Sequence, residues 1–351
     1  MTVSPFDHPI LGGLLGNEEI AGYFSAEADL RAMLAFEAAL AGAEAEAGII
    51  PAGAAKRIAA AAEGFKPDID RLRIATSLDG VPVPELVRQL RAGVGEPDAR
   101  HVHFGATSQD AVDTSLMLRL KPVLGIIDGR LAVFSAVMSD LDARFGRSPL
   151  TAYTRMQPAI EITAVDRIHA WRAPVARGRE RLAAWAAEGL CVQFGGAAGT
   201  LDGLGDKGSQ VRAALAAALG LADAPQWHGQ RDRIADLAGR LALVTGSLGK
   251  FGQDVALMAE LGREIELAGG GGSSAMPHKQ NPVGAEMLVA LARFNAVQIS
   301  GMQQAVVHEQ ERSGAAWTLE WLILPQMVCA TAAALRIAAE LAGGIRGLGR
   351  G

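Results

Sequence analysis

Residues 269–282 read GGGGSSAMPHKQNP. Four consecutive glycines do not belong inside a helix, because each loses the most backbone freedom on ordering, so they make a mobile loop. The loop carries two hydroxyls (Ser273, Ser274), a cation (Lys279) and an amide (Asn281), and Pro277 and Pro282 restrict its backbone. Free backbone N–H groups, a serine able to act as nucleophile or base, and a lysine six residues beyond Ser273 suit chemistry that builds negative charge on oxygen. A Gly-rich surface linker would carry the same glycines. The phosphate-loop pattern Gly-x-x-x-x-Gly-Lys-Ser/Thr is absent.

A second stretch with chemistry in it is HVHFGATSQD, residues 101–110. Thr107 and Ser108 can cap the helix that follows, and Asp110 in its first turn suits the helix dipole. His101 and His103 form an H-x-H pair, but no third ligand sits at metal spacing. A third stretch, TAYTRMQPAIEI at residues 151–162, holds Thr154, Arg155, Met156 and Gln157. In the run WHGQRDRI, Asp232 is the expected N-cap of a long helix, and Arg231 and Arg233 could simply solvate its start. The Gly/Ala run QFGGAAGT reads as close backbone packing. HEQER, starting at His308, is not H-E-x-x-H, so no zinc protease is implied.

The elements that must position these groups are helices. Ser25 opens a helix that stops at Gly48, and Pro51 opens another that runs to Ala62. Residues 1–100 form a small helical lobe. From Ala111 to Arg144 the pattern is helical with a kink expected at Pro122. Comparable long segments follow at residues 158–189, 230–267 and 283–311. The segment at 230–267 is apolar on more than one face and must be surrounded, which favours an oligomer. The fold class expected is all-α: a long-helix bundle over residues 101–351 with an N-terminal helical lobe. Aromatics at 5% agree with helices packed through small side chains.

Net charge is −5, and no basic stripe suggests a nucleic-acid partner. Cys191 and Cys329 lie far apart in apolar surroundings and read as buried thiols in a reducing compartment. No uncharged apolar run reaches the roughly 18 residues of a membrane span. The N-terminus lacks a signal-peptide pattern, so a soluble cytoplasmic protein is expected.

The spacing Gly-Ser-Ser-x-Met-Pro-x-Lys-x-Asn-Pro resembles the signature loop of the fumarase/aspartase superfamily. HVHFGATSQD, the Thr154/Gln157 pair and the helix text LAFEAALAGAEAEAGIIP are similar to further regions of it. The resemblance implies that Ser273 transfers a proton at the carbon next to a carboxylate. Lys279 and Asn281 would hold the charge, with Ser274 and Met276 beside them. His103, Thr107, Ser108, Thr154 and Gln157 would bind substrate, with Arg231 a further candidate. Lyases of the superfamily carry histidine where this chain has Arg155. QFGGAAGT, WHGQRDRI and HEQERSGAAWTLEW look like the branch of cycloisomerases acting on 3-carboxy-cis,cis-muconate.

Arginine keeps its charge at all relevant pH and is a poor proton donor, which suits a leaving carboxylate better than a leaving amine. Glu286 is expected either to aim Arg155 or to serve as a plain first-turn helix acid. The resemblance implies a tricarboxylate substrate, lactonisation in protocatechuate catabolism, no metal or organic cofactor, and a homotetramer sharing its sites. It also implies a C-terminal helical domain, for which this sequence has no counterpart. The rival readings are an adenylosuccinate-type lyase and an inactive structural relative.

Overall fold

The computed structural model describes residues 4–272, 275–276 and 279–350. Two short helices, α1 (Gly12–Leu15) and α2 (Glu18–Gly22), lead to α3 (Ala26–Glu46). As expected, Ser25 starts α3, its hydroxyl accepting from the Ala28 N–H at 3.2 Å. The lobe continues with α4 (Ala52–Glu63), α5 (Ile69–Asp79) and α6 (Val83–Val94). The bundle consists of α7 (Ser108–Phe145), α8 (Ala164–Gly189), α10 (Asp232–Leu261), α11 (Val283–Gln304) and α12 (Gly314–Gly343), with α9 (Gly208–Leu219) packed on α3. Helices α7, α8 and α12 run on through Pro122, Pro174 and Pro325.

Two antiparallel ribbons interrupt the helices. Strands β1 (Pro149–Thr154) and β2 (Gln157–Thr163) form a hairpin, and β3 (Ile265–Leu267) pairs with β4 (Ile345–Leu348). The expected helix over 158–189 is therefore corrected. Residues 158–163 alternate and are rich in β-branched side chains, and the helix starts only where Thr163 and Asp166 close a capping box. The segment 230–267 likewise ends early, because Gly262 takes a left-handed C-cap with φ 65°. The segment 283–311 is helical only to Gln304.

Cross-links define two ends of the bundle. At the base, the start of α7 meets the chain after α8, the chain before α10 and the chain before α12, through Asp110–Gly195, Asp110–His228 and Thr107–Arg312. At the top, β1 meets the chain after α10 where Glu264 accepts from the Thr151 N–H and hydroxyl. Consecutive long helices therefore run in alternating directions. By length and composition α7 and α12 could each cross a bilayer. In this fold, however, 72% of the apolar window of α12 is buried, and α7 packs on both α8 and α12. Cys191 and Cys329 are buried and unpaired.

Two apolar cores result. One runs along the bundle from Met117 to Leu348, and the other fills the lobe with Phe36, Leu40, Ile58, Leu86, Val192 and Phe194. Glu44 lies wholly inside the lobe core, and both of its oxygens lack partners. Burial, with Glu37 nearby, pushes its pKa up to about 9. The folded chain holds this proton while the unfolded chain loses it near 4.5, so stability falls as pH rises between those values. Glu44→Met should remove a slope of roughly 1.4 kcal/mol per pH unit. Its melting temperature should thus pull further above that of the parent from pH 5 to pH 8. A gap independent of pH would refute the buried neutral carboxyl.

Candidate active site

At the base, Thr107 is the N-cap of α7, and its N–H donates to Asp110 at 3.0 Å. Asp110 is fully buried and also accepts from Gly195 N–H (2.9 Å), Gly196 N–H (2.9 Å) and Gln193 Nε2 (3.2 Å), with His228 Nε2 at 2.7 Å. The QFGGAAGT turn is thus glycine-rich because it presses on its neighbours. A Cβ on Gly195 would lie 2.7 Å from the Gln226 Cβ, and one on Gly196 would lie 2.7 Å from the Gly105 oxygen.

Just before this cap, His103 adopts a left-handed backbone with φ 60°. Its Nδ1 lies 2.6 Å from Oε1 of buried Glu37 on α3. Burial by itself lowers the His103 pKa, but the charge and hydrogen bond of Glu37, with Asp110 behind, leave it raised. His101 faces elsewhere, its Nε2 accepting from Arg100 Nε at 3.3 Å, so the two histidines do not converge on one point. Arg312 donates to the Thr107 hydroxyl (3.1 Å) and the Ala197 carbonyl (3.0 Å). The Ser108 hydroxyl has no partner among the described residues. A cationic imidazole, hydroxyls and a helix N-terminus together suit a carboxylate ligand.

At the top, the β1–β2 hairpin closes with Thr154 opposite Gln157, which places those two side chains on the same face. Arg155 (φ 48°) and Met156 (φ 65°) form a two-residue turn with both residues left-handed, a conformation usually given to Asn-Gly. All four are exposed. Arg155 and Met156 line a cleft of about 550 Å³ with Arg167, Lys250, Asp254 and Met258. No acid pairs with Arg155 among the described residues; in particular, no ion pair joins it to Glu286 within the chain. Glu286 is an exposed acid in the first turn of α11.

The signature loop also leaves the top of the bundle. Gly271 and Asn281 pair through two backbone hydrogen bonds of 2.8 and 2.9 Å, which zip its base. A Cβ on Gly271 would meet the Val283 Cγ2 at 2.5 Å, so this glycine is required by close approach and not only by freedom of the loop. Lys279 is exposed, its N–H bonded to the Met276 carbonyl at 3.0 Å; Met276 is exposed and Asn281 half-buried. Ser273 and Ser274 lie outside the described residues.

Helix α10 alone, with 30 residues at 1.5 Å each, puts about 45 Å between the base and the Gly271–Asn281 pair. The hairpin tip reaches down only as far as Lys250, roughly 25 Å above the start of α10 by the same rise. Within one chain the structure gathers His103, Thr107 and Ser108 at one end and Thr154, Arg155, Gln157, Met276, Lys279, Asn281 and Glu286 at the other. It does not bring the two groups together.

The sequence pattern of the lyase family matches residues 16–301. The chain belongs to the lyase family of the fumarase/aspartase superfamily. This lyase is 43% identical over 331 residues to a 3-carboxy-cis,cis-muconate cycloisomerase of Pseudomonas aeruginosa, covering 92% of this chain and 72% of the relative. It is 40% identical over 330 residues to that of Pseudomonas putida, covering 92% and 78%. The crystal structure of the 3-carboxy-cis,cis-muconate lactonizing enzyme from Pseudomonas putida superposes with a TM-score of 0.89 at 37% identity, covering 97% of this chain and 77% of the other.

Two readings of the lyase change with the structure. Arg231 is fully buried, donating to Asp113 at 2.6 and 3.1 Å and to Glu320 at 2.8 Å, and stacks over Trp227 at 4.8 Å. It neither solvates a helix start nor offers a free face to substrate; it ties α7, α10 and α12 together. Asp232 is the first residue of α10, and Arg231 occupies the N-cap. In sequence Glu37 is one acid on an Ala-rich helix, and its residue type does not mark it. Its signal was position: it falls among Met33, Leu34, Phe36, Leu40 and Ala41, all buried.

Proposed function

We propose that this lyase closes 3-carboxy-cis,cis-muconate to 4-carboxymuconolactone, reversibly, as a step in protocatechuate catabolism. The observation that carries the reading is Arg155: an exposed guanidinium at a hairpin tip, with no ion-pair partner among the described residues, where amine-expelling relatives would need a proton donor. A guanidinium binds a carboxylate through paired hydrogen bonds and gives up no proton. One substrate carboxylate adds to a carbon of the C=C bond and forms the C–O bond of the lactone. The π pair moves toward the neighbouring carboxylate, where Lys279 and Asn281 hold the added charge. The Ser273 hydroxyl delivers a proton to the alpha carbon, and the serine oxygen recovers one from water. The reverse reaction uses the same groups in the opposite order. His103, Thr107 and Ser108 take another carboxylate, with Thr154, Gln157, Ser274 and Met276 around the substrate.

The distance between the two ends of the bundle supports a site built from more than one chain, most simply a cytoplasmic homotetramer. Val133, Leu243 and Val297, exposed on α7, α10 and α11, supply apolar surface for such packing. In that assembly Glu286 of one chain pairs with Arg155 of another. Loss of 3-carboxymuconate absorbance with lactone identified by NMR tests the activity. Turnover of adenylosuccinate in its place would assign the chain to the amine-expelling lyases. Sedimentation of a monomer that is fully active would overturn the shared site.

A further inference from the structure

The feature of the base that substrate contact does not explain is a carboxylate in the wrong place. Glu37 is 2% exposed on α3, in the lobe core, and its Oε2 has no partner. A buried carboxylate with half its bonding capacity unmet is strongly disfavoured unless a cation compensates it. The cation within reach is His103, 66 residues away in sequence and on the bundle side of the lobe, with its side chain 12% exposed. His103 is disfavoured in its own way, since a left-handed backbone is uncommon for a residue with a side chain. The 2.6 Å contact with Nδ1 offsets both, and it leaves Nε2 without a partner among the described residues.

We infer that Glu37 is a positioning residue: through Nδ1 it fixes the ring of His103 and keeps it cationic, so that Nε2 presents an N–H to a substrate carboxylate. The inference rests on the reading above that His103 binds substrate. A carboxylate bound at Nδ1 settles which nitrogen is free, and its charge favours the doubly protonated ring. The other charged groups facing the imidazole are Asp110 on α7, which acts in the same direction, and Arg91 on α6, which opposes it. Glu44, two turns along α3 from Glu37, keeps its own proton and so adds no second negative charge near neutral pH. Arg312 is bonded to Thr107 and is not among the charges acting on the ring. Glu37 thus supplies the dominant charge against the ring.

Well below the ordinary histidine pKa the ring is protonated with or without Glu37, although burial alone draws the unpaired ring's pKa down. Above the ordinary value, only a ring held by Glu37 stays charged, so KM should stay low to higher pH in the parent than in Glu37→Gln.

The test compares the parent, Glu37→Gln and Glu37→Asp. Proton–nitrogen NMR of the histidine rings, with His103 assigned from His103→Asn, gives its pKa without substrate. In Glu37→Gln this pKa should fall by about one unit or more. KM for 3-carboxymuconate should rise ~10-fold near pH 7.5 and converge on the parent below about pH 5.5, with kcat changed much less. Glu37→Asp should recover part of both effects. An unshifted His103 pKa overturns the inference, and so does a KM raised equally at every pH, which would mean a lobe merely loosened. If the parent turns over no 3-carboxymuconate, the substrate reading fails on its own, and the ring titration still decides whether Glu37 controls His103.

Discussion

Ser273→Ala is expected to lower kcat about 10²–10⁴-fold while KM changes only a few-fold, because in the proposed mechanism the serine acts on a proton in flight and not on the resting ligand. An isolated hydroxyl is a poor acid and a poor base. In the proposed mechanism Lys279, the backbone N–H groups of a glycine-rich loop and exclusion of water activate it. Ser274→Ala should retain most activity, since it removes a neighbouring hydroxyl and leaves the proton carrier. The check is steady-state kinetics of lactone formation with both variants. Unchanged turnover in Ser273→Ala would take the residue out of the mechanism. An inactive parent with an intact fold would favour the structural relative instead.

The second large effect is on stability. Arg231→Met should cost about 3–5 kcal/mol, because it leaves Asp113 and Glu320 buried without their shared cation. Two buried carboxylates around one guanidinium carry a net negative charge. Asp113 also accepts from Gln109 Nε2 and Trp317 Nε1, so Glu320 is the partner that takes up a proton. Burial pushes Glu320 up to about 7 even beside Arg231. Without the arginine, lowering the pH should therefore recover part of the lost stability, since protonation removes the uncompensated charge. Adding Glu320→Gln to Arg231→Met should recover part of it at every pH. Urea midpoints at pH 6 and pH 8 give the comparison. A loss at pH 8 smaller than about 1 kcal/mol would contradict the buried triad, because surface substitutions rarely exceed that.

These two tests address different kinds of information. Ser273, Lys279 and Asn281 stood out in sequence because a glycine run, hydroxyls and a lysine lie within fourteen residues, and local spacing is what a sequence displays. Helix starts were legible for the same reason: Ser25, Pro51 and Thr107 signal caps within one turn of the helices they open. The β1–β2 hairpin was hidden because its turn is Arg-Met. Neither residue type announces a left-handed backbone, whereas Asn-Gly would have done so.

The sequence by itself determined a helical lyase-type chain, a glycine-rich stretch carrying Ser273, Lys279 and Asn281, and an arginine at position 155. Only the tertiary structure decided that Arg231 is an interior strut, that Glu37 reaches His103, and that a helix about 45 Å long separates the Gly271–Asn281 pair from the histidine turn. The physical reason is that periodicity and caps are set by neighbours along the chain. Burial of a charge, and the distance between two ends of a bundle, are set by which helices pack together and in which direction they run.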